Sequence, residues 1–173
     1  MKNPALSIRL AKLEDEAIVL DIIERTGFFR PVEIDIAREV FTEAAQRKSG
    51  CTYQSYVVEI EELNSESRAT NDKGQVVGWV CFGETPCTLG TFDIYWIAVE
   101  PSLQRQGIGK LLLDFSEHEI KQQGGRLAVI ETSGMKQYLS TQKFYEKYDY
   151  VLAARIPDFY APDDDKLIYI KKL

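Results

Sequence analysis

The chain has 173 residues, 45% hydrophobic and 28% charged, enough to bury a sizeable core in one soluble globular domain. Its formal charge of −6 argues against a nucleic-acid-binding surface, which needs a basic face to neutralise phosphates. No apolar run approaches the roughly 18–20 residues of a membrane helix, and Met1–Pro4 lacks the apolar core of a signal peptide.

Leu6–Leu10 alternates and predicts a first strand. A helix follows, with Ile18, Val19, Ile22 and Ile23 as its apolar stripe and Gly27 as its stop. Pro31 opens a second helix whose buried face is Ala37, Val40, Phe41 and Ala44. Tyr53–Ile60 and Val76–Phe82 read as strands. The polar, aperiodic stretch Glu61–Gly74 between them reads as a long hairpin connection and does not divide the domain. Thr91–Val99 is the strongest strand, aromatic and β-branched, ended by Pro101. A Gln/Gly segment then enters a helix striped by Ile108, Leu111, Leu112 and Phe115 and stopped by Gly124-Gly125. His118, the one histidine, falls near that stripe and is expected to pack, half-buried. Leu127–Ile130 reads as a buried strand, Lys136 to about Tyr148 as a helix, and Tyr150–Ile156 and Leu167–Ile170 as the last strands. The order β-α-α-β-β-β-α-β-α-β-β predicts a single α+β domain, residues 1–173, around a mixed sheet. Exposed strand edges near Leu167–Ile170 would permit a homodimer. Cys51, Cys81 and Cys87 read as reduced thiols, which suits a cytoplasmic protein.

The segment from Asp93 to Lys110 carries the chemistry. Gly107 and Gly109 leave no side chain in the way of a ligand, and backbone N–H groups there would point out at the positive end of the next helix. That arrangement suits a pyrophosphate without a dedicated lysine. It is not a Walker A loop, because Gln104 stands where the first glycine would be and Leu111 follows Lys110. Nor is it a dinucleotide fingerprint, since Leu112 occupies the third glycine position. Taken alone, two glycines before a helix fit a tight structural turn equally well.

Gln104, Gly107 and Gly109, with Ile97-Ala98-Val99-Glu100-Pro101 upstream, resemble the acetyl-CoA-binding motif of the GNAT acyltransferases. That signature is Gln/Arg-x-x-Gly-x-Gly/Ala after a strand ending aliphatic-x-Val. The resemblance covers most of the chain from Ile8 onward and is strongest between Asp93 and Tyr150. It implies a GNAT-like mixed, mostly antiparallel sheet with two splayed parallel strands, flanked by helices. It also implies acetyl-CoA as the cofactor. The pantetheine arm would pair with the backbone of Ile97, Ala98 and Val99, and an N–H near Val99 would polarise the thioester carbonyl. The pyrophosphate would sit on N–H groups of Gln104, Arg105, Gln106, Gly107, Ile108, Gly109 and Lys110. Arg105 either reaches phosphate or is solvated. Tyr138, where many members carry asparagine, would alter contacts to the cofactor.

An alkylamine, with a pKa of about 10, is neutral in roughly one molecule per thousand at pH 7, so a base is needed. Asp93, at the start of the central strand, is the first candidate, since an acidic residue there often serves in the family; a plain strand-end aspartate is the alternative. Glu131, at the end of the next strand, is the second. Phe144-Tyr145 through Tyr150 resembles the family's Phe-Tyr-x-x-x-Gly-Phe segment, whose tyrosine protonates the departing thiolate, so Tyr145 is the expected acid. Asp149 replaces the usual glycine, and the turn must differ or strain. No cysteine lies in a nucleophile motif and no metal is expected, so transfer should be direct. Phe28 and Phe29 either wall an acceptor pocket or pack a turn, and Arg30 would suit an acceptor carboxylate. The loop Asp158–Asp165 either lines the same site or just joins two strands, and its acidic triplet would instead favour a polyamine-like cation. The expected function is an acetyl-CoA-dependent N-acetyltransferase acting on a primary amine of a small molecule, an amino acid among the candidates. A catalytically silent acyl-CoA-binding module and a protein or peptide N-acetyltransferase stand beside it.

Overall fold

The computed structural model describes residues 5–47, 50–60 and 74–173. The stretch 61–73, read above as a hairpin connection, lies outside them, as does Met1–Pro4. In chain order the elements are β1 (Leu6–Leu10), α1 (Glu16–Thr26), α2 (Pro31–Gln46), β2 (Gln54–Ile60), β3 (Gln75–Glu84) and β4 (Thr91–Val99). Then follow α3 (Ile108–Gln122), β5 (Leu127–Ser133), α4 (Leu139–Lys147), β6 (Val151–Ala161) and β7 (Asp164–Lys172). This is the α+β order the sequence predicts. The strands pair in the order β1-β2-β3-β4-β5-β7-β6, mostly antiparallel, with β4 and β5 as the parallel pair.

The chain forms two compact units, Met1–Cys81 with Trp96–Leu113 and Phe82–Tyr95 with Asp114–Leu173. In the first, α1 and α2 bury Val19, Ile22, Ile23, Ala37 and Phe41 with Val57 and Trp79. α1 stops at Gly27 because that residue takes φ 71, a left-handed conformation costly for residues with a Cβ. Trp79 stacks on Trp96 at 5.8 Å and donates its indole N–H to Ser55 Oγ at 2.7 Å, so its polar edge is satisfied inside the core. Gly78, on the same strand, lets α3 come close: a Cβ there would lie 3.2 Å from Ile108 Cγ2 and 3.3 Å from the Ala98 carbonyl. Burial works to raise the Asp15 carboxyl, but the Arg9 guanidinium at 2.7 Å and the Lys12 N–H outweigh it and hold it below the usual carboxylate range.

In the second unit, β5 pairs with β7 from Leu127↔Lys172 to Ser133↔Lys166. Phe92, Ile94, Ile120, Ala128, Ile130, Tyr145, Tyr150 and Tyr169 are buried here.

Three expectations are corrected. The stretch Asp158–Asp165 is largely a hairpin, because Asp158 and Asp163 take φ 52 and 64 and their polar groups bond locally. The Asp163 N–H donates to Asp158 Oδ1 at 2.7 Å, and the Asp158 N–H to Asp165 Oδ1 at 3.0 Å. β7 lies between β5 and β6, so Leu167–Ile170 is paired on both sides and the sheet ends at β6. His118 is exposed, since burial on α3 follows Ile108, Leu112, Leu113, Ser116 and Ile120, leaving Leu111 and Phe115 half-buried. Asp149, where the family carries glycine, adopts φ 67, so the anticipated strain is present.

Candidate active site

β4 ends in Val99, and Glu100 then accepts the Ser102 N–H and hydroxyl, at 3.3 and 2.9 Å, starting a 3₁₀ turn over Pro101–Leu103. The following loop carries two left-handed residues, Arg105 at φ 62 and Gly107 at φ 92. Gln104 Nε2 donates to the Val99 carbonyl at 3.5 Å, tying loop to strand. The Gly107 carbonyl accepts the Leu111 N–H at 2.9 Å, which makes Gly107 the residue from which α3 winds. N–H groups of a first helical turn have no partner inside their helix. α3's first turn carries no acidic residue, and a Cβ at Gly107 would meet nothing within 4 Å. The space before this helix is therefore open and faces a positive dipole end.

In the second unit the parallel register runs Thr91↔Leu127, Phe92↔Ala128 and Asp93↔Val129 and ends there, although β4 continues to Val99. A cleft at this point is lined by Asp93, Ile94, Tyr95, Val129 and Glu131. Both sequence-predicted carboxylates thus share one cleft. Thr85 donates its hydroxyl to Asp93 Oδ2 at 2.6 Å, fixing that carboxylate. Glu131 Oε2 is 2.5 Å from Lys166 Nζ, which itself lies 4.4 Å from the centre of the Phe159 ring.

Tyr145 is not part of that lining. It projects from α4 into an aromatic cluster, 6.0 Å from the ring centres of both Tyr150 and Tyr169. Burial alone pushes its phenol well above the ordinary tyrosine value, so it stays protonated at neutral pH. Tyr138 is half-buried at the start of the same helix.

On the α1–α2 junction, Phe29 packs on Trp96 at 5.1 Å, and Phe28 is half-buried. Arg30 donates its backbone N–H to Glu33 Oε2 at 2.7 Å and its Nε to the same oxygen at 3.2 Å.

Residues 52–152 match the acetyltransferase (GNAT) domain family. A GNAT-family protein from Desulfovibrio desulfuricans has a similar structure, with a TM-score of 0.82 at 37% identity, covering 97% of this chain and 99% of that one. The chain belongs to the GNAT acetyltransferases. Two further structures share the fold. The ribosomal-protein-S18-alanine N-acetyltransferase of Escherichia coli has a TM-score of 0.69 at 18% identity, covering 97% of this chain and 94% of that one. The yncA protein of Salmonella typhimurium, solved with its cofactor acetyl-CoA, has 0.71 at 19%, covering 98% and 94%. A search of curated protein sequences finds no match.

As a GNAT member the chain is an acetyltransferase, and acetyl-CoA is its donor. The donor's pyrophosphate fits the open, acid-free start of α3, where backbone can approach without a side chain intervening at Gly107. No helix among the described residues is long and apolar enough to cross a membrane.

Sequence reasoning missed Thr85, Lys166 and Glu33, which hold Asp93, Glu131 and Arg30. For Glu33 a signal existed: it stands three residues after Arg30, with Pro31 between, the spacing of a capping box. Thr85 and Lys166 gave none, because their partners lie on other strands.

Proposed function

We propose that this GNAT acetyltransferase moves the acetyl group directly to a primary amine of a small molecule, as one catalytic domain in the cytoplasm. The observation that carries the reading is the cleft in which Asp93 and Glu131 sit together beside the last parallel pair, Asp93↔Val129. Two carboxylates draw in an ammonium and can then remove its proton. Asp93, oriented by Thr85, is the preferred base, acting through water. Glu131 is second, because Lys166 already engages its carboxylate.

Acetyl-CoA supplies an activated acyl carbon and a thiol leaving group. Ile97, Ala98 and Val99 hold the pantetheine arm by backbone, with the Val99 N–H directed at the carbonyl oxygen. Gln104 to Lys110 take the pyrophosphate, and Tyr138 flanks the donor. The amine nitrogen bonds to the acyl carbon as the carbon–sulfur bond breaks. Asp93 receives the amine proton, and Tyr145 gives its Oη proton to sulfur. Phe28 and Phe29 shape the acceptor side. Arg30 contributes less to a carboxylate partner than its charge suggests, since Glu33 occupies it. Cys81 fits a nucleophile poorly, because it is buried and burial raises its thiol far above the ordinary value.

The test is kinetic. Tyr145→Phe should lower kcat about 100-fold or more while leaving the Kd for CoA unchanged. Asp93→Asn should lower it by about tenfold or more at neutral pH, with recovery at alkaline pH where the amine deprotonates itself. Unchanged turnover in both variants sinks the mechanism. A screen of CoA release over amino acids, polyamines, aminoglycosides and peptides reads the acceptor. Turnover of peptides alone would move the assignment to a protein acetyltransferase, and CoA binding without turnover of any acceptor would indicate a silent module.

A further inference from the structure

We infer that Arg25 is a positioning residue for the donor, acting through Glu100 on the loop that leads to α3. Arg25 lies in the last turn of α1 and donates Nη1 and Nη2 to the two carboxylate oxygens of Glu100, both at 2.7 Å. This is a bidentate fork, the stronger and more directional form of the pair. Asp21 accepts the same guanidinium's Nε at 2.8 Å and fixes it from the helix side. Glu100 is only 7% exposed and spends its remaining capacity on the loop root. It receives the Ser102 N–H and hydroxyl, its carbonyl accepts the Leu103 N–H at 2.9 Å, and its own N–H donates to the Val77 carbonyl at 2.9 Å. Gln104 to Gly107 depart from that anchored turn with two left-handed residues, a shape that local sequence does little to enforce. Arg25, first among the influences, keeps the Glu100 carboxyl below the usual carboxylate range, so the fork is charged at neutral pH. α1 thereby sets the aim of the loop without touching the donor.

The inference rests on the donor loop assigned above, so CoA binding is measured alongside turnover. Arg25→Gln, which removes the charged fork, should raise the acetyl-CoA KM and the CoA Kd about tenfold, with kcat within about twofold. Arg25→Lys should recover part of the affinity, since an ammonium offers no planar fork. Ser102→Ala, which leaves the ion pair whole, should weaken CoA about threefold. It carries the test if the Arg25 variants do not fold. Equal CoA affinity in the wild type, Arg25→Gln and Ser102→Ala overturns the inference. So does a fall in kcat that follows the folded fraction at constant KM, which marks a merely structural bridge. A wild type that binds no CoA overturns the donor assignment itself and this inference with it.

Discussion

Two helix starts in the same unit, α2 at Pro31 and α3 at Ile108, present opposite faces of one physical rule. Both begin after a short irregular segment and expose N–H groups at a positive dipole end. At α2, Glu33 folds back on Arg30 and supplies the carboxylate from within. At α3, the first turn holds no acid, Gly107 has no side chain, and nothing stands within 4 Å of where a Cβ would be. A helix start that satisfies itself is a structural joint. One left open is a place for an outside anion, and on the proposed reading that one takes the donor.

The difference can be broken from either side. The largest effect is expected for Gly107→Asp, which puts an internal carboxylate before α3 as Glu33 does before α2 and forces a side chain onto φ 92. CoA affinity, read by calorimetry, should fall about 100-fold, or about 2.7 kcal/mol. Retained affinity would mean the start of α3 is not the pyrophosphate seat. Glu33→Gln sharpens the contrast: about 1 kcal/mol of stability should be lost, a drop of roughly 2–4 °C in Tm, with CoA affinity unchanged. A tenfold change in CoA affinity there would erase the distinction between the two starts. Smallest is a control in the other unit, at the end of α4. Asp149→Gly should raise stability by about 0.5–1 kcal/mol, because glycine takes φ 67 without the Cβ penalty, and a lower Tm would show that the Asp149 side chain stabilises that turn.

The legible parts of this molecule are those written in local chemistry. Thr91–Val99 appears as a strand with the predicted bounds, Gly27 and Gly124 stop their helices at positive φ, and Pro31 opens α2. The β6–β7 hairpin was hidden by Asp158 and Asp163. Aspartates normally argue for a loop, yet here Asp158 and Asp163 supply the left-handed residues, and the carboxylates of Asp165 and Asp158 accept their N–H groups. His118 misled because the helical stripe rotates by one residue, with Leu112, Leu113 and Ser116 buried where Leu111, Leu112 and Phe115 were expected. On the proposed site, the Gln104–Gly109 loop stands out in the sequence because backbone recognition of an anion favours glycines. The partners of Asp93 and Glu131, and the Arg25–Glu100 fork with its sequence separation of 75 residues, depend on pairing between distant elements and leave no periodic trace.

The most direct measurement compares CoA with pantetheine, which lacks the pyrophosphate and nucleotide, in calorimetric titrations of the intact chain. If the open start of α3 holds the pyrophosphate, CoA should bind at least about 100-fold more tightly, and Gly107→Asp should remove most of that advantage while leaving pantetheine binding as it was. Equal affinities for the two ligands, or an advantage for CoA that survives Gly107→Asp, would contradict the account.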